Sequence, residues 1–202
     1  MLFDWVLFTD IDEYLTFSAG YDLQKLTEEY KDYPGVYLDW KLYNANGHIK
    51  SPEGSIRENY TQEAKPEEFI DGSRKWRIKS FVNIHNATKF NTLHEIADAV
   101  NTDFTTSIYI KPLYDKAWIN HYFSKSWEDF CDRILKRGNM ANDFRNFDNF
   151  FFNNKDLLPL KNKLIESVRY CHTVNTFWIS KDLKLISGGN VNKLERLKNK
   201  IK

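Results

Sequence analysis

The feature that most constrains this chain is an apolar segment near its start that ends in three carboxylates. Residues 5–8 read Trp-Val-Leu-Phe, a short run typical of a buried strand. Asp10, Asp12 and Glu13 follow it. Side chains alternate along an extended backbone, so we expect Asp10 and Asp12 to face the same way. Paired carboxylates favour a bound Mg²⁺ or Mn²⁺, and open α/β sheets bind ligands at the ends of strands. The segment indicates a metal–diphosphate site, with an acidic solvated turn as the alternative.

The rest of the chain alternates strand and helix signals, which predicts a single α/β domain over residues 1–202. This length is sufficient for one full hydrophobic core. We expect a mixed sheet flanked by helices, ending in a helical tail over residues 155–202. The predicted strands are 5–8, 36–43, 76–84, 107–110 and 117–123, and the predicted helices are 22–30, 126–138, 157–168 and 192–202.

Charge and composition exclude several classes of protein. The formal net charge is +1 at pH 7, so no overall field favours nucleic acid or an anionic membrane surface. No apolar stretch approaches the roughly 20 residues of a membrane span, and no leader pattern precedes the first strand. Cys131 and Cys171 lie far apart without a C-x-x-C motif, which is typical of a reducing compartment. We therefore expect a cytoplasmic protein that binds no nucleic acid and has no transmembrane segment.

Two further patterns place aromatic or histidine side chains near predicted turns. Trp40 lies toward the end of a strand, and Asn46 and His48 follow in the turn sequence Asn-Gly-His; a core tryptophan beside a hairpin is the alternative. His94 and Glu95 lie in a loop-like stretch, where a lone histidine is more often a surface or core residue than a ligand. Both patterns are candidates for a binding site.

A third pattern is a strand that runs into a capped helix. His121 emerges from the apolar strand 117–123, and Lys125 lies just ahead of residues 126–129, whose sequence Ser-Trp-Glu-Asp is typical of a capping box. Free amides at a helix start and a nearby lysine together favour a bound phosphate. The pattern predicts an anion site, and a plain capped helix is the alternative.

The order of these segments resembles that of the family 2-like and family 92-like glycosyltransferases of the GT-A superfamily. The shared pattern is D-x-D-E-[FY]-L after a strand, W-x-x-[FY] with a G-H turn, a K-S/T-φ-V strand, an isolated His, and N-H-Y-x-x-K-S-x-E-x-F with a later R-G. The resemblance runs from about residue 3 to residue 140. It rests on residues 9–15, 40–43 with 46–48, 79–82, His94, 120–130 and 137–138.

The resemblance implies a partial, Rossmann-like GT-A fold and a transferase acting in polysaccharide biosynthesis. It would move a sugar from a nucleotide-sugar donor, foremost a UDP-sugar, to a glycan or lipid-linked acceptor. The implied cofactor is Mn²⁺ or Mg²⁺, held by Asp10, Asp12 and His121. The implied donor-binding residues are Asp10, Asp12, His94 and Lys125, and the acceptor-binding residues are Trp40, Asn46 and His48. Candidates for the base that deprotonates the acceptor hydroxyl are Glu13, Glu95 and Asp143.

The chain departs from the family in where the D-x-D motif begins. It starts at residue 10, whereas in the family a βαβ region that binds the base and ribose precedes it. We therefore expect the C-terminal part of a GT-A enzyme, with weak donor binding and an exposed sheet edge that favours self-association. We expect it in the cytoplasm, including the inner face of the membrane.

Two other functions fit parts of the pattern. A GT-A protein without activity could bind a glycan or a partner chain. A haloacid-dehalogenase-like phosphatase also carries D-x-D after an apolar strand, but the later acidic pair typical of that family does not occur in this sequence.

Overall fold

The computed structural model describes residues 3–64, 78–92, 94–106, 113–137, 147–171, 178–179 and 185–186. The chain forms two compact units: the sheet unit, Met1–Tyr43 and Glu63–Phe123, and the helical unit, Asn44–Gln62 and Ser124–Lys202. The protein is mixed α/β, with a curled mixed sheet in the first unit and helices in both, which confirms the predicted α/β class. None of the described helices is long and apolar enough to cross a membrane.

The described part of the sheet unit contains six strands and one helix. They are β1 (Trp5–Leu7), β2 (Glu13–Phe17), α1 (Leu23–Glu29), β3 (Gly35–Leu42), β4 (Ile78–Asn83), β5 (Val100–Asn101) and β6 (Ala117–His121). The strand order is β1–β4–β3–β6–β2, with β5 also paired to β3. β4 runs antiparallel along one edge of β3, while β5 and β6 run parallel along the other, beside residues 36–37 and 40–42. β3 is therefore the centre of the sheet.

α1 packs on one face of this sheet because its cap and its apolar spacing agree. The Asp22 carboxylate accepts the Lys25 amide at 2.8 Å, which begins the helix as predicted. Leu26 and Tyr30, four residues apart, are fully buried against the sheet. Their cluster includes Val36, Leu38, Phe81, Val100, Ala117 and Ile119, and a second cluster on the other face contains Tyr37, Ile78, Val82, Ile96 and Ala99.

The predicted strands 5–8, 36–43 and 117–123 correspond to β1, β3 and β6, and the predicted helix 22–30 corresponds to α1. β2, a short strand that begins at the last of the three carboxylates, is not predicted from the sequence. Asp10 and Asp12 therefore lie between two strands, and Glu13 begins the second of them. The predicted strand 107–110 lies outside the described residues.

The helical unit is built around Trp127. Its ring is fully buried and lies 5.0 Å from Phe150 and 5.2 Å from Phe151, between centroids. The predicted helix 157–168 is divided between Leu160 and Lys161, into a 3₁₀-helix that contains Pro159 and a following α-helix, because proline lacks an amide and disfavours α-helical geometry before it. The predicted tail helix 192–202 lies outside the described residues. The elements are α2 (Ile56–Asn59), α3 (Trp127–Arg137), α4 (Phe147–Asn153), a 3₁₀-helix (Lys155–Leu160), α5 (Lys161–Cys171), β7 (Trp178–Ile179) and β8 (Leu185–Ile186).

β1 ends the described sheet on one side, and large apolar residues flank it. Phe3 and Phe8 are 67 % and 59 % exposed, and Ile11 in the following connection is 87 % exposed. An edge strand with exposed apolar neighbours favours pairing with another chain. The self-association expected from the sequence stays a prediction.

Gly35→Ala tests a close approach of two backbones in the sheet. A Cβ at Gly35 would lie 2.5 Å from the Phe81 carbonyl oxygen and 2.7 Å from Ile96 Cδ1. We expect the free energy of unfolding to fall by about 3 kcal/mol, because the backbone must move as in an overpacked core. Urea unfolding measures the change.

Gly20→Ala is the matched control. A Cβ there meets nothing within 4 Å, and only the φ of +76° is strained. We expect a loss of about 1 kcal/mol. Equal losses in the two variants would contradict the close approach at Gly35.

Candidate functional site

Strand register gathers polar and aromatic side chains at one end of the sheet. Each of four strands carries an apolar residue on the face that packs against α1. On each strand, the residue two positions nearer to this end of the sheet is polar or aromatic. Because side chains alternate along a strand, both residues of each step share a face. The site therefore continues the apolar face of the sheet. The steps are Leu38 to Trp40 on β3, Ile119 to His121 on β6, Phe81 to Lys79 on β4 and Leu15 to Glu13 on β2.

The acidic connection between β1 and β2 crosses this end of the sheet. Residues 8–12 link the two outermost strands, with β4, β3 and β6 between them. A flat sheet would separate those strands by about 19 Å, close to the full reach of an extended connection of this length, so a connection that also turns can join them only if the sheet curls. The Glu13 amide donates to the Asp10 carbonyl at 3.1 Å and closes a turn. The extended backbone expected at Asp10 and Asp12 is therefore wrong, and the two carboxylates have different partners.

Lys79 is the cation to which this acidic turn is attached. Its Nζ lies 3.3 Å from Asp10 Oδ2 and 3.2 Å from Glu13 Oε2. The Glu13 side chain is fully buried and that of Lys79 is 6 % exposed, whereas that of Asp10 is 66 % exposed. Glu13 Oε2 also accepts the Asp10 amide at 2.9 Å. Burial raises the pKa of Glu13, against the smaller lowering effects of this hydrogen bond and of Lys79. Glu13 thus anchors both the turn and the lysine.

Trp40 lies between two histidines at the centre of the site. Its ring centroid is 4.3 Å from that of His121 and 5.6 Å from that of His94. His121 Nε2 is in turn 4.0 Å from Asp12 Oδ1. Within the described residues, Trp40 Nε1 and His94 Nδ1 are buried and make no hydrogen bond. Burial, and next the charge of Lys79, lower the pKa of His94 below its ordinary 6.5, so the ring is neutral at pH 7.

A pocket of about 650 Å³ opens beside the acidic turn. Asp10, Lys79 and His94 supply its ionisable groups, and the half-exposed residues Phe8 and Phe90 supply its aromatic ones. A volume of this size holds a nucleotide-sized ligand. The lining suits a molecule that combines a flat apolar part with an anionic group. Thr9, Asn91 and Thr92 complete it.

The loop that carries His94 is attached to β4 by side-chain hydrogen bonds. Ser80 Oγ donates to the His94 carbonyl at 2.9 Å and accepts the Ile96 amide at 3.1 Å. Asn91 Nδ2 donates to Glu95 Oε1 at 3.1 Å, and the Glu95 residue is only 8 % exposed. Glu95 therefore braces this loop, as Glu13 braces the turn, and neither of these two base candidates lines the pocket. The third, Asp143, lies outside the described residues.

The predicted acceptor residues Asn46 and His48 belong to the helical unit and hold its first segment together. Asn46 has a φ of +49°, which asparagine tolerates better than most residues. Its Nδ2 donates to Thr61 Oγ1 at 3.1 Å, and its Oδ1 accepts the Gln62 amide at 2.8 Å. His48 Nε2 lies 3.2 Å from the Asn59 carbonyl. Both side chains thus have a local structural role.

The helix start predicted to bind an anion is capped by acceptors of the protein itself. Lys125 precedes α3 with a φ of +51°, and Ser126 forms the predicted capping box. The first three helical amides all donate within the helical unit, so they are not available to a phosphate. The donors and acceptors are Trp127 to the His48 carbonyl at 3.1 Å, Glu128 to the Ile49 carbonyl at 2.9 Å and Asp129 to Ser126 Oγ at 3.0 Å.

The predicted metal ligands fit a hard divalent cation in chemical kind. Carboxylate oxygens and an imidazole nitrogen are accepted by Mn²⁺ and Mg²⁺. Asp12 Oδ1 and His121 Nε2 lie 4.0 Å apart. Adjacent ligands in a Mg²⁺ octahedron lie about 3 Å apart, so these two side chains must move closer by about 1 Å to share one ion as neighbouring ligands. The third ligand, Asp10, contacts Lys79, and among the described residues no group of three or more such side chains is placed to hold an ion.

Lys79 is the residue of this site that sequence reasoning missed. In the sequence it is only the first residue of the K-S/T-φ-V segment. The signal was present, because a lysine followed by Ser80, Phe81 and Val82 in a buried strand needs a carboxylate partner. The local sequence does not show the order of the strands, so it does not indicate which carboxylate Lys79 would contact.

The sheet unit thus contains Glu95 and brings together six other predicted site residues, and the helical unit holds three more among the described residues. The first group is Asp10, Asp12, Glu13, Trp40, His94 and His121, and the second is Asn46, His48 and Lys125.

Neither a protein-family model nor a curated protein matches this sequence. The site geometry and the motif resemblance are therefore the two supports for a functional proposal.

Glu13→Gln is expected to lower the free energy of unfolding by about 3 kcal/mol, because it leaves the buried Lys79 charge without its buried partner. The change is isosteric, and the amide still accepts the hydrogen bond from Asp10. Guanidinium unfolding followed by circular dichroism measures it. Asp10→Asn is the control: its contact with Lys79 is exposed to solvent, so we expect a loss below about 1 kcal/mol. A larger loss of stability in Asp10→Asn than in Glu13→Gln would contradict the conclusion that the buried ion pair contributes more than the exposed one.

His94 is expected to titrate below its ordinary pKa of 6.5. The folded state then binds fewer protons than the unfolded chain, so the stability that this group contributes is present above pH 6.5 and is lost as pH falls below that value. NMR titration of the ring, assigned by its loss in His94→Gln, measures the pKa. Lys79→Met should raise the pKa, since it removes one cause of the shift. A wild-type pKa at or above 6.5 would contradict the buried, cation-flanked position.

Proposed function

We propose that this chain is the metal-binding part of a GT-A-type glycosyltransferase that moves a sugar from a nucleotide donor, foremost a UDP-sugar, to a glycan or lipid-linked acceptor. The observation that carries the proposal is the convergence of the acidic turn with His121 and Lys79, next to a pocket that Asp10 and Lys79 line. Asp12 and His121 lie 4.0 Å apart, and Lys79 reaches the turn at 3.3 Å. The motif order described above supports the same function.

The charges of the site suit a diphosphate. Asp10 and Lys79 both line the pocket, so a bound anion would meet a fixed ammonium group. Asp10, Asp12 and His121 would hold Mn²⁺ or Mg²⁺, which when bound neutralises the charge that develops on the leaving diphosphate. The neutral ring of His94 can donate a hydrogen bond to a phosphate oxygen without adding charge.

The aromatic groups suit the rest of the donor and the acceptor. Phe8 and Phe90 present half-exposed rings on which a nucleobase can stack. Trp40 supplies an apolar face near His94 and His121 for a sugar ring. In the transfer, the bond between the sugar anomeric carbon and the diphosphate oxygen breaks. The acceptor hydroxyl oxygen forms the new bond and gives its proton to a base.

UDP should quench tryptophan fluorescence only when Mn²⁺ is present, because Trp40 is packed against the predicted metal ligand His121. Asp12→Asn should weaken this Mn²⁺-dependent binding at least about tenfold, since one of the charged ligands is lost. Titration of UDP at fixed Mn²⁺ measures both. Asp32→Asn is the matched control, because this exposed aspartate precedes β3 at the end of the sheet away from the site. It should bind as the wild type does.

Other outcomes favour the alternative functions. Mn²⁺-dependent UDP binding without hydrolysis or transfer of any UDP-sugar would favour a binding protein without activity. Release of phosphate from an aryl phosphate, lost in Asp10→Asn, would favour a phosphatase. Absence of Mn²⁺ binding in calorimetry, even with UDP, would refute the transferase proposal.

A further inference from the structure

Lys79 contacts two carboxylates that differ sharply in their surroundings. Its Nζ lies 3.2 Å from the fully buried Glu13 carboxylate and 3.3 Å from the Asp10 carboxylate, whose side chain is 66 % exposed. An ion pair in contact with water exchanges readily for other partners, whereas breaking a buried pair leaves an uncompensated charge. The contact with Asp10 is therefore the one that Lys79 can release.

The acidic turn keeps its shape without that contact. The Asp10 amide donates to Glu13 Oε2 at 2.9 Å, and the Glu13 amide donates to the Asp10 carbonyl at 3.1 Å. Neither hydrogen bond uses the Asp10 carboxylate. This carboxylate can thus change partner while the backbone stays in place.

Lys79 and Asp10 both line the pocket of about 650 Å³. An ammonium group that releases Asp10 there remains paired with Glu13 and still borders the pocket. An anion in the pocket then becomes its natural second partner.

We propose that Lys79 and a divalent cation are alternative partners of the Asp10 carboxylate. In the absence of the cation, Lys79 neutralises Asp10 and holds the site closed to metal. When a cation takes Asp10 together with Asp12 and His121, the Lys79 ammonium turns to an oxygen of the diphosphate. This inference rests on the proposed function and adds a regulation to it: metal and diphosphate each strengthen the binding of the other, through one lysine.

The test compares Lys79→Met with the wild type in two calorimetric titrations, Mn²⁺ alone and then pyrophosphate at saturating Mn²⁺. We expect Mn²⁺ alone to bind about tenfold more tightly to the variant, because its competitor is gone, and pyrophosphate to bind about tenfold more weakly, changes typical of coupled sites. Lys79→Arg is the matched control: it keeps the charge and should keep the wild-type order of affinities.

The two opposite changes separate this role from a structural one, because a damaged fold would weaken both titrations. If the wild type binds Mn²⁺ and pyrophosphate but Lys79→Met leaves the Mn²⁺ affinity unchanged or lower, the inference is overturned while the proposed function stands. If the wild type binds no Mn²⁺ even with UDP, both are overturned.

A measurement on the wild type covers the case in which Lys79→Met does not fold. The Nζ resonance of a buried lysine ammonium is observable by NMR, and that of Lys79 should shift as Mg²⁺ is added and again as pyrophosphate is added. A resonance that stays unchanged while Mg²⁺ binds would overturn the exchange of partners.

Discussion

The sheet unit depends on a curl that brings Lys79 of β4 to Glu13 of β2. Two strands, β3 and β6, lie between them, and in a flat sheet their backbones would be about 14 Å apart. The ammonium and the carboxylate are nevertheless 3.2 Å apart and buried. Neither charge is tolerable in that position without the other. The Lys79–Glu13 ion pair consequently constrains the curvature of the sheet, the position of the acidic turn and the pocket beside that turn.

Local signals in the sequence were sufficient for much of the fold. The apolar runs of β1, β3 and β6, the Asp22 cap of α1 and the capping box of Ser126 all depend on residues a few positions apart. β2 could not be found in this way, because it is short and begins at the third of three carboxylates that indicate a loop. The turn over residues 10–13 could not be found either, because Glu13 holds it and is itself paired with Lys79, which lies far away in the sequence.

The site was predictable as a set of residue types but not as a set of neighbours. His121 and Asp12 were predicted together and lie close to each other. Asn46 and Lys125 had equally suggestive positions in the sequence, yet they belong to the helical unit, where Asn46 stabilises a turn and Lys125 precedes a capped helix. Lys79 was missed because its partner is 66 positions away in the chain and is reached only through the strand order.

The connection of residues 8–12 joins β1 and β2, the two outermost strands of the described sheet, across its end. Terminal strands normally fray first and independently of each other. Here, detachment of β1 at one margin or of β2 at the other would pull the same five residues out of position. Order at both margins and an intact acidic turn are therefore a single cooperative equilibrium, so the turn reports on the integrity of the whole sheet.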